Sequence, residues 1–263
     1  ALPPEIADRL ARTNIKGYAE IDASLIGKYI AATHQMPTLS FNMKVREGFI
    51  SNPNAPEPIS NLFLNLKTKL PGLNTDSLTI NMDSLYFNIG KDYVASITRV
   101  KGFKEPYIYT DTRSDIDLEK WSKVINLDSL VLKGRLNINL KADGKYGKKA
   151  VHSGIRQVDT LTTVPQFSLK ASLSNGYFKY LAMPAAISKI DFNINGTNTD
   201  GEYKSSKFSI DNINIEALNN FIKGYAMLQT AENMPLDIQL KWLINFADLK
   251  NIYPIKGYEL SGI

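Results

Sequence analysis

The chain has two histidines, His34 and His152, and each follows a Gly-Lys-Tyr tripeptide by a few residues. An imidazole that titrates near neutral pH could serve there as a general base or a metal ligand. The two histidines are not at equivalent distances from their tripeptides, and no carboxylate or second histidine supports either one. Each therefore reads as a surface-loop residue. Asp115, Asp117 and Glu119 could present alternating carboxylates to calcium, but the glycine and the terminal glutamate of a calcium loop are missing. An acidic helix start, favoured by the helix dipole, explains them more simply. The segment Gly196-Thr197-Asn198-Thr199-Asp200-Gly201 is not followed by Gly-Lys-Ser/Thr, so it reads as a turn and not a phosphate loop. No Gly-x-Ser-x-Gly elbow occurs. The absence of cysteine removes thiolate zinc sites, disulfides and thiol nucleophiles together. No catalytic residue, metal site or cofactor is expected, and the chain reads as a non-enzyme.

Two weaker signals remain. Asp76-Ser77-Leu78, Asp83-Ser84-Leu85, Asp128-Ser129-Leu130 and Asp159-Thr160-Leu161 share an Asp-(Ser/Thr)-aliphatic pattern. It resembles an acceptor motif for bacterial O-glycosylation, and it also makes good turns before strands. Tyrosine is abundant at 13 residues, among them Tyr86, Tyr107 and Tyr109. These could form a carbohydrate or membrane-interface surface, although tyrosine is ordinary on half-exposed strands.

The elements that position these residues must come from a folded chain: 43% of its 263 residues are hydrophobic and 22% charged, outside the range of disordered tails. The net charge of +5 comes from 31 basic and 26 acidic residues dispersed along the chain. A nucleic-acid reader would concentrate them in a stripe with aromatic platforms, so no nucleic-acid partner is expected. No stretch approaches the ~18 apolar residues of a membrane span. The chain opens at Ala1 without a signal peptide, and an anchoring segment is expected upstream of it.

The most informative feature is internal similarity. Ile15-Lys16-Gly17 resembles Leu132-Lys133-Gly134, and Gly27-Lys28-Tyr29 resembles Gly144-Lys145-Tyr146, both 117 positions on (17 to 134). Met36-Pro37-Thr38-Leu39-Ser40-Phe41 then matches Val164-Pro165-Gln166-Phe167-Ser168-Leu169, now 128 positions on (37 to 165). Gly48-Phe49 with Gly176-Tyr177, and Ile59-Ser60 with Ile187-Ser188, keep that spacing. The difference is absorbed by an insertion near His152–Thr163, a polar region that reads as a longer loop. Asp117-Leu118 matches Asp248-Leu249. Two units are expected, residues 1–131 with an N-terminal helix and residues 132–263 with the start of a third.

Within each unit the apolar residues recur with period two, the strand signal. Leu39, Phe41, Met43 and Val45 alternate with polar neighbours, as do Phe167, Leu169, Ala171 and Leu173. Leu62, Leu64 and Leu66 correspond to Ile190, Phe192 and Ile194, and Leu78, Ile80 and Met82 to the region of Phe208 and Ile210. Leu136, Ile138 and Leu140 form another run, and Leu236, Ile238, Leu240 and Trp242 a further one. Short helices are expected over Pro3–Arg12, Asp117–Ile125 and Asp248–Tyr253. The predicted fold is mainly β: elongated, curved antiparallel sheets built from two tandem repeats with a few short helices.

An alternating strand has one apolar face, and that face must be covered. Another sheet could cover it, or it could line a groove filled by lipid chains; periodicity does not separate the two. Bulky Phe41, Phe63, Phe192, Phe208 and Trp242 lean toward a closed core. Under the groove reading the lining is Leu39, Phe41, Met43, Leu62, Leu64, Leu66, Ile80, Phe167, Leu169, Ile190, Phe192, Ile194, Phe208, Leu236, Ile238 and Leu240.

The end of the unit carries a family resemblance. Asp248-Leu249-Lys250-Asn251-Ile252-Tyr253-Pro254-Ile255 runs into Leu260-Ser261-Gly262, and Asp117-Leu118-Glu119-Lys120-Trp121 runs into Leu132-Lys133-Gly134 without the proline. This is similar to the AsmA-like family of bacterial envelope proteins. The resemblance implies a periplasmic β-rich body, held to the inner membrane by an N-terminal anchor upstream of this chain. It also implies likeness to repeating-β-groove lipid-transfer proteins, a phospholipid or other acyl lipid as ligand, and outer-membrane assembly components as partners. No catalytic residues come with it. A structural scaffold with a closed core and a carbohydrate-binding β-protein stay open beside this reading.

Overall fold

Strict alternation with turn residues between the runs produces a meander. The computed structural model describes residues 13–248 apart from 54, 125, 126, 128, 154 and 155. The first strands are β1 (Asn14–Ile26), β2 (Thr38–Ser51), β3 (Ile59–Leu70), β4 (Thr79–Ile89), β5 (Asp92–Lys101) and β6 (Tyr107–Asp117). A helix, α1 (Leu118–Val124), follows β6. The rest are β7 (Leu130–Lys145), β8 (Gly147–Ser153), β9 (Arg156–Thr163), β10 (Gln166–Tyr180), β11 (Ile187–Asn198), β12 (Lys207–Ala217), β13 (Asn220–Gln229) and β14 (Leu236–Leu243). Twelve strands form one sheet in the order β1-β2-β3-β4-β5-β6-β7-β10-β11-β12-β13-β14, every pairing antiparallel. The sheet continues without a break across residues 131 and 132, where β6 pairs with β7.

The turns follow local chemistry. Gly72 supplies the left-handed conformation after β3, and the Asn74 side chain accepts from Asp76 N at 2.9 Å, a short polar bridge of the kind that favours turns. After β11, Asn198 holds the 198–206 loop: Nδ2 donates to Glu202 O and Ser206 Oγ, and Oδ1 accepts from Gly201 N. The glycine-bounded segment expected as a turn is strand through Asn198 and bends only from Thr199 to Gly201. Asp117 caps α1, its Oδ1 accepting from Glu119 N at 3.0 Å, as an acidic N-cap should.

Two further features differ from the sequence reading. The insertion expected as a loop is a two-stranded hairpin, β8 with β9, with Val151 opposite Val158 and His152 opposite Gln157. Its β-branched residues favour strand, and because it stands outside the main sheet it can stay polar. The second difference concerns Asp248. The residue hydrogen-bonded like Asp117 is Asn245, whose Oδ1 accepts from Ala247 N at 2.9 Å, and Asp248 lies within the helical turn that follows. The helix expected over Pro3–Arg12, and the continuation of the 248–253 helix, lie outside the described residues.

Among the described residues only Ile89 and Ala217 are buried apolar side chains. Among the described residues no second layer therefore covers the sheet as in a sandwich, where inner-face residues of two sheets interdigitate.

Candidate functional site

Residues paired across neighbouring strands share a face of the sheet, so the register identifies the two surfaces. One row runs Leu25, Leu39, Leu70, and another Ile21, Met43, Leu66, Met82. In the centre Thr112 is opposite Leu140, which is opposite Leu169 and then Gly196 and Phe208. Beyond it Ala171, Ile194, Ile210, Ala226 and Ile238 form one row. This face runs the width of the twelve strands and is apolar apart from hydroxyl residues, most of them on β5 and β6. At the ~4.8 Å spacing of neighbouring strands it extends for roughly 50 Å.

Every residue named as lining lies on this face. Phe41, Met43, Leu62, Leu64, Leu66, Ile80, Phe167, Leu169, Ile190, Phe192 and Ile194 are half-buried. Leu39, Phe208, Leu236, Ile238 and Leu240 are exposed. Phe63 is not among them: it pairs with Tyr86 on the opposite face and is exposed, because it has the other parity from Leu62 and Leu64. The Phe167 and Phe208 rings stack at 5.6 Å over Gly196, since a Cβ there would meet both rings at 3.1–3.2 Å.

Two features interrupt the apolar face. Helix α1 covers one end, where Trp121 packs on Phe87 at 5.3 Å between centroids. Its indole Nε1 is buried without a partner. Between β5 and β6 lies an island of four hydroxyls. Ser96 meets Thr112 at 2.7 Å, Thr112 meets Thr110 at 3.0 Å, Thr110 meets Thr98 at 3.1 Å, and Thr98 returns to Ser96 at 3.3 Å. Each hydroxyl can donate once and accept once within this ring, so the island is satisfied without water. Period two predicts the face but not the island, because threonine is also a common strand residue.

The opposite face is polar and carries cross-strand ion pairs, such as Asp83 with Lys67 and Arg99, and Asp111 with Lys141, while Arg113 pairs with Asp111 along β6. Tyr86, Tyr107 and Tyr109 belong to it by register. Tyr107 donates to Asp143, and that carboxylate raises the phenol's pKa. A cleft of about 870 Å³ lies at the loop end, between the β8–β9 hairpin and the loops near Asp200 and Glu232. Two of its carboxylates are engaged locally: Asp200 accepts from Ser205 at 2.6 Å and Glu232 from Lys204 at 2.5 Å.

The carboxylates considered for calcium serve three separate roles. Asp115 grips Arg135, Asp117 caps α1 and Glu119 pairs with Lys123. Among the described residues no group of three or more His, Cys, Asp or Glu could hold a metal ion. His34 sits exposed in a turn with φ 51°, while His152 lies in the backbone of β8 and not in a loop. Of the Asp-(Ser/Thr)-aliphatic positions, Ser77 is exposed in a turn, Thr160 is exposed in β9 and Ser84 is half-buried in β4. Among the described residues no helix is long and apolar enough to cross a membrane.

Several arrangements recur. Gly17 and Gly134 both have φ +115°, and a Cβ on them would meet the Cα of Gly48 at 2.8 Å and of Gly176 at 2.7 Å. Asp92 Oδ2 accepts from Asp117 N at 2.8 Å, and Asn220 Oδ1 accepts from Asn245 N at 2.6 Å. The turns at Thr75–Ser77 and Tyr203–Ser205 also stand 128 positions apart. Compared with protein-family models, with curated proteins and with solved structures, the chain matches none.

Proposed function

We propose that this chain is a non-enzymatic, lipid-binding or lipid-conducting segment of a periplasmic protein of the AsmA-like kind, anchored to the inner membrane outside this chain. The observation that carries the reading is the long apolar face of a twelve-stranded sheet, broken only by α1 and the hydroxyl island and without a second layer among the described residues. An exposed apolar surface much larger than a few hundred Å² marks an interaction site. Its occupant must be long, apolar and adaptable to a surface of mixed Leu, Ile, Phe and Met side chains. Acyl chains meet that description, and their burial stabilises the complex by about 25 cal/mol per Å². Their headgroups stay toward water, and the polar face stays solvated.

The same reading includes two copies of one β-unit. Shared positive-φ glycines, the Asp92/Asn220 caps and the matching turns, at spacings of 117 and then 128 positions, support it. The β8–β9 hairpin then accounts for the change in spacing. A closed scaffold would need a cover that the described residues do not supply beyond α1.

Photocrosslinking in cells tests the lipid reading. A photoreactive residue at Leu66 or Leu169 is expected to capture phospholipid, and one at the neighbouring Lys67 or Lys170 is not. Equal capture at both sets, or none at either, would remove the groove.

A further inference from the structure

The loops between β3 and β4 and between β5 and β6 stand together at one end of the strands. Gly102 N donates to Leu78 O at 2.7 Å, and Lys104 pairs with Asp76 at 3.2 Å. Met36, at the close of the β1–β2 loop, joins them, since a Cβ on Gly72 would meet Met36 O at 3.8 Å. On the other side Tyr146 N donates to Pro106 O at 2.9 Å, carrying this rim to the seam where β6 pairs with β7. Both ends of the described chain lie at the opposite end of the strands, where Asn14 faces Ser51 and Leu243 faces Phe221.

The rim is apolar at its tips. Phe103 is 67% exposed, and Leu73 and Met36 are exposed with it. Each stands three residues beyond the apolar face: Leu73 follows Leu70, Phe103 follows Val100 and Met36 precedes Leu39. Lys69 and Lys101 are exposed on either side of Thr79. Neither has an ion-pair partner among the described residues.

The bonds that shape these loops recur without those residues. At 128 positions on, Thr230 N donates to Ser206 O at 2.9 Å, the counterpart of the bond from Gly102 to Leu78. Lys204 pairs with Glu232 at 2.5 Å, which is the pair of Asp76 and Lys104 with its charges exchanged. Yet Ala231 stands in the place of Phe103 and Gly201 in that of Leu73, while Thr197 and Gln229 replace Lys69 and Lys101. The loop geometry therefore requires neither the apolar tips nor the free cations. A phenylalanine left in water gains the fold little, because its hydrophobic contribution comes from burial. A contact outside the chain accounts for it.

We infer that this rim docks on the surface of an anionic lipid bilayer. Phe103, Leu73 and Met36 enter the interfacial region, while Lys69 and Lys101 meet lipid phosphates. Apolar and aromatic side chains interspersed with lysines suit that region, and each cation near it adds attraction to anionic lipid. The choice of a bilayer rests on the lipid reading above, because an acyl chain leaving a membrane at the rim meets Leu70 and Val100 of the apolar face next. The loops around Gly201 and Ala231 stay in water.

Flotation with vesicles of phosphatidylcholine and phosphatidylglycerol, set beside phosphatidylcholine alone, tests the proposal. The native chain is expected to float with the anionic vesicles, less with the neutral ones, and less again in high salt. Phe103→Ala, which copies Ala231, is expected to weaken binding roughly tenfold, and Lys101→Gln, which copies Gln229, roughly fivefold. Because the chain has no cysteine, Glu105→Cys and Asn233→Cys place an environment-sensitive fluorophore in the two loops, 128 positions apart. Its emission should shift to the blue on anionic vesicles from position 105 and not from position 233. Phospholipid capture at Leu169 without vesicle binding would overturn the rim and leave the groove. Vesicle binding that Phe103→Ala weakens, without capture at Leu169, would keep the rim and remove the groove. Equal binding by Phe103→Ala and the native chain, or equal shifts from both positions, would overturn the proposal. So would indifference to vesicles combined with a self-association that Phe103→Ala removes.

Discussion

Arg135 ties the seam of the sheet to the start of α1 through Asp92, its Nη1 standing 2.6 Å from a carboxylate that has no solvent exposure. The same guanidinium grips Asp115 through Nε and Nη2 at 2.5 and 2.7 Å. These bonds, those to Asp115 first, hold the guanidinium further above its already high range, so it stays charged at any working pH. Asp92 is then a charged link from Arg135 on β7 to the backbone N–H of Asp117.

Removing that link is expected to be costly. Asp92→Ala leaves the Asp117 N–H without its acceptor and takes one anion from Arg135, at a cost of about 3 kcal/mol. Asp92→Asn keeps the acceptor and should cost roughly half as much. At the corresponding position Asn220 is neutral and buried, and its Nδ2 donates to Ala217 O at 3.0 Å. Asn220→Asp would turn an oxygen toward that carbonyl, and Leu243 stands there in place of Asp115. A loss of about 2 kcal/mol at neutral pH is expected, recovered as pH falls and the new carboxyl protonates. Urea unfolding at pH 7 and pH 4.5 measures both effects.

Gly134 and Gly17 share a conformation but not a setting. An alanine at either must hold φ near +115° and push its Cβ into backbone less than 3 Å away. β7 has a strand on each side and cannot move, so Gly134→Ala is expected to cost about 3 kcal/mol or more. β1 is an edge strand and can peel locally, so Gly17→Ala should cost less than half of that. Equal losses for the two variants would contradict this account. Thermal denaturation resolves the difference.

Much of this was legible in the sequence, and the rest was hidden for physical reasons. Side chains such as Leu64, Phe167 and Ile194 alternate strictly, so their membership of one face follows from period two alone. Whether that face is covered depends on partners distant in sequence, and Phe63 shows how easily parity is misassigned beside a bulge. The β8–β9 hairpin was hidden by its polarity, since a hairpin outside the core needs no apolar stripe. The Asp92 link escaped notice because its acceptor role rests on a β7 arginine that is 43 residues away.

The hydroxyl island predicts an unusual tolerance. Ser96, Thr98, Thr110 and Thr112 satisfy one another, so replacing a single member strands its neighbours, at about 1 kcal/mol or more. Replacing a facing pair together, Thr98→Val with Thr110→Val, removes the donor and acceptor of their mutual bond and leaves Ser96 and Thr112 still paired, so it should cost no more than either single variant. The double variant should bind a fluorescent fatty-acid probe more tightly than the native chain, because the apolar face becomes more continuous. A double variant less stable than the sum of its single variants would show that the ring is not the unit described.

The acid limb of stability should come from three carboxylates held below their ordinary values. Lys223 lowers Glu216 from 4.5, Lys204 lowers Glu232 from 4.5, and hydrogen bonds from Ser205 and the Glu202 N–H lower Asp200 from 3.8. A carboxyl whose pKa is lower in the folded state binds its proton first in the unfolded chain. Its contribution is therefore present above the ordinary value and lost as pH falls through the folded one. Stability measured by urea midpoint should fall below about pH 4.5, and Glu216→Gln should lower the midpoint above that pH and flatten the limb below it. The Glu216 and Glu232 contributions are exposed ion pairs and should shrink in 1 M salt, where screening extends to about 3 Å. The Asp200 contribution rests on hydrogen bonds and should persist, so a residual acid limb in high salt that Ser205→Ala removes would assign it to that loop.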